Sequence, residues 1–372
     1  MDSISFHKKL RGKLTIKGKV PIRDMQDLST LYTPGVAEPC RKIAEDRKLA
    51  YEYTMKGNSV AIVSDGSRVL GLGNIGPEAA LPVMEGKALI MQQFAGIDAF
   101  PVCLDTQDED MVVETVKNIS PVFGAINLED ISTPKVFDIE KRLTDELDIP
   151  VFHDDQHGTA VVVLAGLFNA LKVVEKTDDS KIAVVGAGSA GYAIAKLLRA
   201  AGFKDITVFD SKGAIHDSRN LSNYKKELAG LNSSGYQGSL SGFAGADVII
   251  SAASPGAVPE DAIKSMEKPG VVFALSNPDP EISLQQAERL EVSVFGTGRS
   301  DCPNQINNAL CFPGFLRALL DFRVKRITDE MKIAAARGVA DTVPEPTRNM
   351  VVPDVFDRNV VSNIKSKVKE AL

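Results

Sequence analysis

A chain of 372 residues, 44% hydrophobic and 25% charged, can bury a large core and should divide into two or more domains, which sets it apart from disordered chains. Its formal charge of −6 and the lack of a Lys/Arg block argue against a nucleic-acid surface, and its strongest apolar run, residues 160–171, is too short to span a bilayer. Cys40, Cys103, Cys302 and Cys311 are scattered and form no CxxC pair, which argues against a zinc knuckle or a disulfide framework and, with an N-terminus lacking an apolar signal core, points to the cytoplasm.

In chain order, residues 1–24 form a basic, irregular arm. Residues 28–50 hold the loop Tyr32-Thr33-Pro34-Gly35-Val36 and then a helix rich in Glu, Lys and Arg. Ser59–Ser64 predicts a strand closed by the Asp65-Gly66 turn, and Gly71, Gly73 and Gly76 make the following loop flexible. Helices are expected over 82–94 and Glu109–Ile119, with a strand over 99–104 between them. Short apolar runs alternate with helices to about residue 300, the pattern of an α/β fold with a largely parallel sheet. Beyond Asn304 the chain reads as helical, most clearly over 326–340. The expected domains are 1–153, 154–305, and a helical segment 306–372 packing back on the first.

Two apolar runs end abruptly in adjacent carboxylates. One is Gly124-Ala125-Ile126-Asn127-Leu128-Glu129-Asp130; the other is Val151-Phe152-His153-Asp154-Asp155-Gln156-His157-Gly158-Thr159. Side by side, two such strands would converge several acids on one point. Bare carboxylates repel one another, and oxygen-only ligands favour a hard divalent ion, Mg²⁺ or Mn²⁺. The plainer alternative is a pair of surface acids at a strand end and a helix cap. His153 and His157 flank the acids; the hard-metal preference assigns them capping, packing or outer-sphere roles rather than ligation. Cys103, on a strand, reads as a core residue.

A long buried helix is expected over 158–175. It is followed by Lys181-Ile182-Ala183-Val184-Val185 and the glycine loop Gly186, Ala187, Gly188, Ser189, Ala190, Gly191, a strand–GxGxxG–helix order. Gly186 permits the tight turn, Gly188 lets a pyrophosphate approach the backbone, and Gly191 lets the helix pack closely; the helix N-terminus then faces the phosphates. The next strand, Ile206-Thr207-Val208-Phe209, ends in Asp210, where an acid binds the adenosine ribose. Asp210 favours NAD. Ser211 and Lys212, which follow it, can each bind a 2′-phosphate, so NADP stays open.

Seven motifs in order now carry a resemblance. They are Tyr32-Thr33-Pro34-Gly35-Val36, Gly71-Leu72-Gly73-Asn74-Ile75-Gly76, Glu85-Gly86-Lys87-Ala88, Leu128-Glu129-Asp130, the stretch from Phe152 through Thr159, Phe273-Ala274-Leu275-Ser276-Asn277-Pro278, and Asn307-Asn308 ahead of Phe312-Pro313-Gly314. From about residue 10 to at least residue 340 the chain resembles the malic enzymes, in particular their short prokaryotic form. The resemblance implies a malic-type N-terminal α/β domain, a Rossmann-like dinucleotide domain and a C-terminal helical segment. It also implies oxidative decarboxylation of L-malate to pyruvate and CO₂ with reduction of NAD(P)⁺. By the same resemblance Glu129, Asp130 and Asp155 would be the metal ligands, Tyr32 the general acid and Lys87 the general base, with Asp154 beside it. Arg68 would hold a substrate carboxylate, a role many short relatives lack an arginine for. Asn277 and Asn308 would contact substrate and nicotinamide.

The chemistry requires these parts: a base for the malate hydroxyl, an acid for C3, a cation for a carboxylate and a metal to stabilise the enolate left by CO₂. As a base, Lys87 must be neutral, so its pKa would have to be depressed. On residues alone, Tyr32 can simply pack over a turn and Lys87 can be a snorkelling lysine on an apolar helix. The same parts would serve a malolactic enzyme that keeps NAD bound and releases lactate; a non-catalytic dinucleotide sensor is the remaining alternative. Because the arm lacks a hydrophobic face of its own and related enzymes form dimers, a homodimer is expected in which the arm completes the partner's site. No membrane or nucleic-acid partner is expected.

Overall fold

The structure, a computed structural model, describes residues 2–69 and 71–372. Two sheets organise it. The first contains β1 (Ser59–Ser64), β2 (Asp98–Cys103), β3 (Ala125–Leu128) and β4 (Val151–His153), all parallel, in the order β2-β1-β3-β4. The second contains β5 (Ile182–Val185), β6 (Ile206–Asp210), β7 (Gly213–Ala214), β8 (Val248–Ser251), β9 (Val271–Ala274) and β10 (Val294–Thr297), in the order β10-β9-β8-β5-β6-β7, parallel except for β7. The inner strands β1, β5, β8 and β9 are mostly apolar with every residue buried, as a parallel sheet covered on both faces requires. In both sheets the strand order reverses, beside β1 in the first and between β5 and β8 in the second. A crevice opens outside the carboxyl ends of the strands at such a point.

Local chemistry sets the helix ends. The helix expected over 82–94 runs Pro77–Ala95, because Gly76 at φ 82 stops the chain and Pro77 occupies the first turn. Its inward face presents Met84, Lys87, Ala88 and Met91 at helical spacing. The arm, expected to be irregular, carries a helix, Ser3–Leu10; Asp2 caps it by accepting from Ser5 N, and His7, Lys8 and Lys9 suit its last turn, yet none of its residues is buried. The long buried helix is Asp154–Val173, starting four residues before the expected Gly158, so Asp154 and Asp155 stand in its first turn rather than on the strand.

The C-terminal helices Phe312–Asp321, Asp329–Ala340 and Asn359–Glu370 pack mainly on one another, on Asp154–Val173 and on Pro77–Ala95. Buried Asn169 fixes them by donating to Ala340 O at 2.9 Å and Val351 O at 3.0 Å. The largest core runs without a break from Val60, Met84 and Phe152 through Val184 and Phe273 to Phe312 and Phe315. No helix among the described residues is long and apolar enough to cross a membrane, and all four cysteines are free.

Candidate active site

The register of the first sheet assembles the acids. β3 pairs with β4 through Leu128 and His153, so Glu129 and Asp130 leave one strand where Asp154 and Asp155 leave its neighbour. Successive residues of a strand point to opposite faces. Asp130 avoids this by turning left-handed at φ 52, a conformation aspartate tolerates, and Arg68 N holds the turn by donating to Asp130 O at 3.1 Å. One carboxylate oxygen from each of Glu129, Asp130 and Asp155 then lies within 4.8 Å of the others. Asp155 Oδ2 accepts from Asp130 N at 3.1 Å, and Asn127 donates to Glu129 Oε2 at 2.9 Å.

One ammonium faces these acids. Lys87 Nζ pairs with Glu129 Oε1 and Asp154 Oδ2, and all three side chains are buried. Asn308 fixes Asp154 from the far side, donating to Oδ2 at 2.6 Å. Burial pushes the Glu129 carboxyl well above its ordinary range, and the neighbouring acids add to this against the pull of Lys87. Burial likewise raises Asp154. Burial also opposes Asp155, but His153 and Asp130 N hold it down at about 2. Lys87 corrects the expectation of a depressed value. Burial lowers it, but Asp154, Glu129 and Asp155 outweigh burial and raise it, so the side chain as placed is an ammonium. The all-oxygen donor set of Glu129, Asp130 and Asp155 fits a hard divalent ion.

The dinucleotide loop takes the expected form. Gly186 turns at φ 103, where an added Cβ would meet Ala252 O at 2.4 Å; at Gly191 a Cβ would lie 1.9 Å from Gly186 O. Gly188 caps the helix Ser189–Ala200, whose N-terminus opens on a cavity of about 510 Å³ lined by Ser67, Arg68, Ala187, Gly188, Asp210 and Lys225 among others. Ser189 and Gly191 are buried and Ala190 is half-buried. Exposed Ser211 and Lys212 follow Asp210, as expected.

The surroundings of Asp210 were not legible beforehand. Arg219 donates to both of its oxygens at 2.9 and 2.8 Å, Lys225 to Oδ2 at 2.7 Å and Lys212 N to Oδ1 at 2.9 Å. A carboxylate offers about four acceptor positions, and all are occupied. Burial is overcome by Arg219 and Lys225, which hold the acid at about 2. Its charge is thus met by two cations, so Asp210 is not an unpaired acid at this position. Two basic residues nine and fifteen positions after Asp210 were the signal available in the sequence.

The remaining expected residues divide. The Arg68 guanidinium is exposed and donates to Ser189 Oγ at 3.2 Å, so its side chain rests on the glycine loop while its backbone holds Asp130. Asn277 is exposed after β9, packed against Gly298 with its main chain near Gly71. Tyr32 is 65% exposed, and its hydroxyl has no partner among the described residues. No hydrogen bond among the described residues ties Tyr32 to the acids. His153 is fully buried behind Asp155, and His157 donates to Glu140 Oε1 at 2.7 Å; neither joins the cluster. A larger cavity of about 710 Å³ lies between Glu140, Gln156 and His157 on one side and Tyr192 and Tyr224 on the other. It does not open on the glycine loop, and it includes none of the clustered acids.

A glycine loop at a topological switch point, linked through Arg68 to a carboxylate cluster, is the arrangement of a dinucleotide-binding enzyme. Residues 11–144 match the N-terminal domain of malic enzyme and 156–372 its NAD-binding domain. The chain is 52% identical to the NAD-dependent malic enzyme of Geobacillus stearothermophilus over 99% of its length and 78% of that protein's. It is 51% identical to the bifunctional malic/malolactic enzyme of Bacillus subtilis, covering 100% of this chain and 92% of that one, and 43% identical to the NADP-dependent malic enzyme of Halomonas elongata, covering 97% and 86%. The crystal structure of the NAD-dependent malic enzyme of Thermotoga maritima superposes with a TM-score of 0.96 at 44% identity, covering 99% of both chains. The chain belongs to the malic enzyme family and is an NAD(P)-dependent oxidoreductase of that family.

Proposed function

We propose that the chain converts L-malate to pyruvate and CO₂ while reducing NAD⁺ or NADP⁺, with Mg²⁺ or Mn²⁺ held by Glu129, Asp130 and Asp155. The observation that carries this reading is Arg68. Its backbone holds the Asp130 turn and its side chain touches Ser189 of the glycine loop, so one residue links the acids to the dinucleotide crevice. Hydride acceptor and acid cluster then face the same substrate.

A divalent ion held by Glu129, Asp130 and Asp155 would supply a Lewis acid and positive charge beside these acids. Lys87 Nζ, in its neutral form, is the atom that takes the malate hydroxyl proton. Asp154, fixed by Asn308, keeps Nζ in place through the transfer. Phe312 lies under the same ammonium, 4.8 Å from ring centre to Nζ, and keeps water from that side. Arg68 and Asn308 would bind substrate at the crevice wall, and Asn277, in the loop after β9, would contact substrate and nicotinamide. Tyr32 is the proton donor to C3. Contrary to the expectation that the arm has no apolar face, its Ile4, Ile16, Val20 and Ile22 are all exposed, as are Met25, Leu31 and Tyr32 just beyond it, an apolar load that an isolated chain would not carry in water. This supports a homodimer in which the arm delivers Tyr32 to the partner's crevice, in the cytoplasm.

A second reading, malolactic conversion with retained NAD, is favoured by the name of the Bacillus subtilis relative alone. Adding malate and Mn²⁺ with each cofactor separates the two. Accumulation of NAD(P)H with pyruvate is expected. Lactate without free NADH would favour the second reading, and no metal-dependent turnover would leave only a dinucleotide-binding role.

A further inference from the structure

The hydrogen bonds behind Asp155 have a fixed polarity, and it starts 15 positions upstream in the sequence, at Glu140. This residue lies on the helix Lys135–Glu146, with its carboxylate largely buried. Its Oε1 accepts from His157 Nε2 at 2.7 Å and its Oε2 from Gln156 Nε2 at 2.8 Å. Burial opposes its ionisation, but His157, with His153 and Lys332 beyond it, holds it at about 2. Glu140 is therefore a carboxylate and only accepts.

The rest follows from counting protons. Facing an acceptor, Gln156 must present its amide nitrogen. The same nitrogen lies 2.7 Å from His153 Nδ1. With one proton on Glu140 and the other directed at the ring, Gln156 leaves Nδ1 as an acceptor. A proton on Nδ1 would set two donors against each other at 2.7 Å. The ring proton therefore sits on Nε2. That atom is buried, makes no hydrogen bond of normal geometry, and has Asp155 Oδ2 as an acidic neighbour at 3.4 Å.

Two consequences bear on the cluster. A ring nitrogen that carries hydrogen has no lone pair for a metal, so His153 is barred from ligation although it lies beside an acid of the cluster. Its proton also faces Oδ2 from 3.4 Å, the oxygen that already accepts from Asp130 N, which turns Oδ1 toward a cation. We propose that Glu140 and Gln156 are positioning residues of the metal centre, holding His153 in the Nε2–H tautomer so that it orients Asp155 and stays out of the coordination sphere. The proposal rests on the reading of Asp155 as a cation ligand. Orienting partners of this kind change metal affinity by about 10–100-fold when removed.

The test uses the full chain in two measurements. The first is nitrogen NMR of metal-free protein labelled at histidine, where only His7, His153, His157 and His216 contribute. It examines the tautomer without any metal. For His153 a protonated Nε2 and a bare Nδ1 are expected in the native protein. In Gln156→Met, which keeps length but donates nothing, the proton should redistribute toward Nδ1. The second is Mn²⁺ titration followed by electron paramagnetic resonance, with NAD binding as a control. Gln156→Met should weaken Mn²⁺ about tenfold and leave NAD unchanged. Glu140→Gln, which frees the Gln156 amide to turn over, should shift both readouts in the same direction. A proton on Nδ1 in the native protein would overturn the proposal, as would variants whose tautomer and Mn²⁺ affinity both match native. A native protein that shows the expected tautomer but binds no Mn²⁺ would instead overturn the metal reading beneath it.

Discussion

Replacing Lys87 with methionine removes the one ammonium paired with the buried acids and keeps most of the packing volume. In metal-free protein the variant leaves Glu129 and Asp154 buried without their counter-charge, at side-chain exposures of 5% and 0%. Breaking a buried pair from one side costs about 3–5 kcal/mol. With an unfolding entropy of about 2.1 cal/mol/K per residue over 372 residues, that lowers Tm by roughly 4–6 °C. The pH dependence has a definite sign. Glu129 and Asp154 are both raised in the fold, so the stability they contribute is present at low pH, where they are protonated, and is lost as pH rises through their folded values. The deficit of Lys87→Met in EDTA should therefore be small near the ordinary carboxylate range and grow toward neutral pH. Mn²⁺ at about 100 times its Kd returns about 2.7 kcal/mol to any protein that binds it. At one shared Mn²⁺ concentration the gain should be larger in the variant than in the native chain, because the ion meets one more uncompensated charge and its Kd is lower. Thermal melts in EDTA and in Mn²⁺ across pH give the answer. A variant as stable as native in EDTA at neutral pH, or one that gains less from Mn²⁺ than native does, would refute this reasoning.

Asp155→Ala is expected to abolish both malate turnover and Mn²⁺ binding while leaving NAD binding intact, checked by titrating each ligand separately. Tyr32→Phe should impair hydrogen exchange at the pyruvate methyl far more than oxaloacetate reduction by NADH; equal losses would mean that Tyr32 and Lys87 act as one proton-transfer unit. Mixing Tyr32→Phe chains with Lys87→Met chains should restore turnover in hybrid dimers if the arm crosses to the partner, and hybrids with no activity would place Tyr32 in its own chain's site. Lys225→Ala should lower kcat/KM for NADP about tenfold, the equivalent of about 1.4 kcal/mol from one charge-assisted hydrogen bond, with little change for NAD. An unchanged NADP/NAD ratio would remove Lys225 from cofactor selection.

Much of the site was legible because its signals are local. An apolar run ending in Glu129-Asp130, another ending in Asp154-Asp155, and a glycine loop between strand and helix all lie within a few residues of their own cause. What sequence could not supply was the joining of distant pieces. The placement of Asp155 in the first turn of a helix depends on where β4 ends, and the plainer reading of surface acids and a helix cap fails because Glu129 and Asp130 are buried and His153 is the capping position. The left-handed turn at Asp130 and the contact of Arg68 with Ser189 need the two domains in place. Lys87 shows a different limit. Its helix could be read, but the sign of its shift depends on Glu129 and Asp154, 42 and 67 residues away. Glu140 left no trace at all, being one acid among several on an amphipathic helix. Tyr32 stands apart, since its motif is evident and its place in one chain is exposed.

The central claim is that acids from two neighbouring strand ends hold a divalent ion in the crevice shared with the nicotinamide. Anomalous diffraction from crystals soaked in Mn²⁺ tests it directly. A peak coordinated by Glu129, Asp130 and Asp155 is expected, and it should vanish in Asp155→Ala. A peak elsewhere, such as at Glu140 and His157, or none among these acids in a catalytically active crystal, would contradict it.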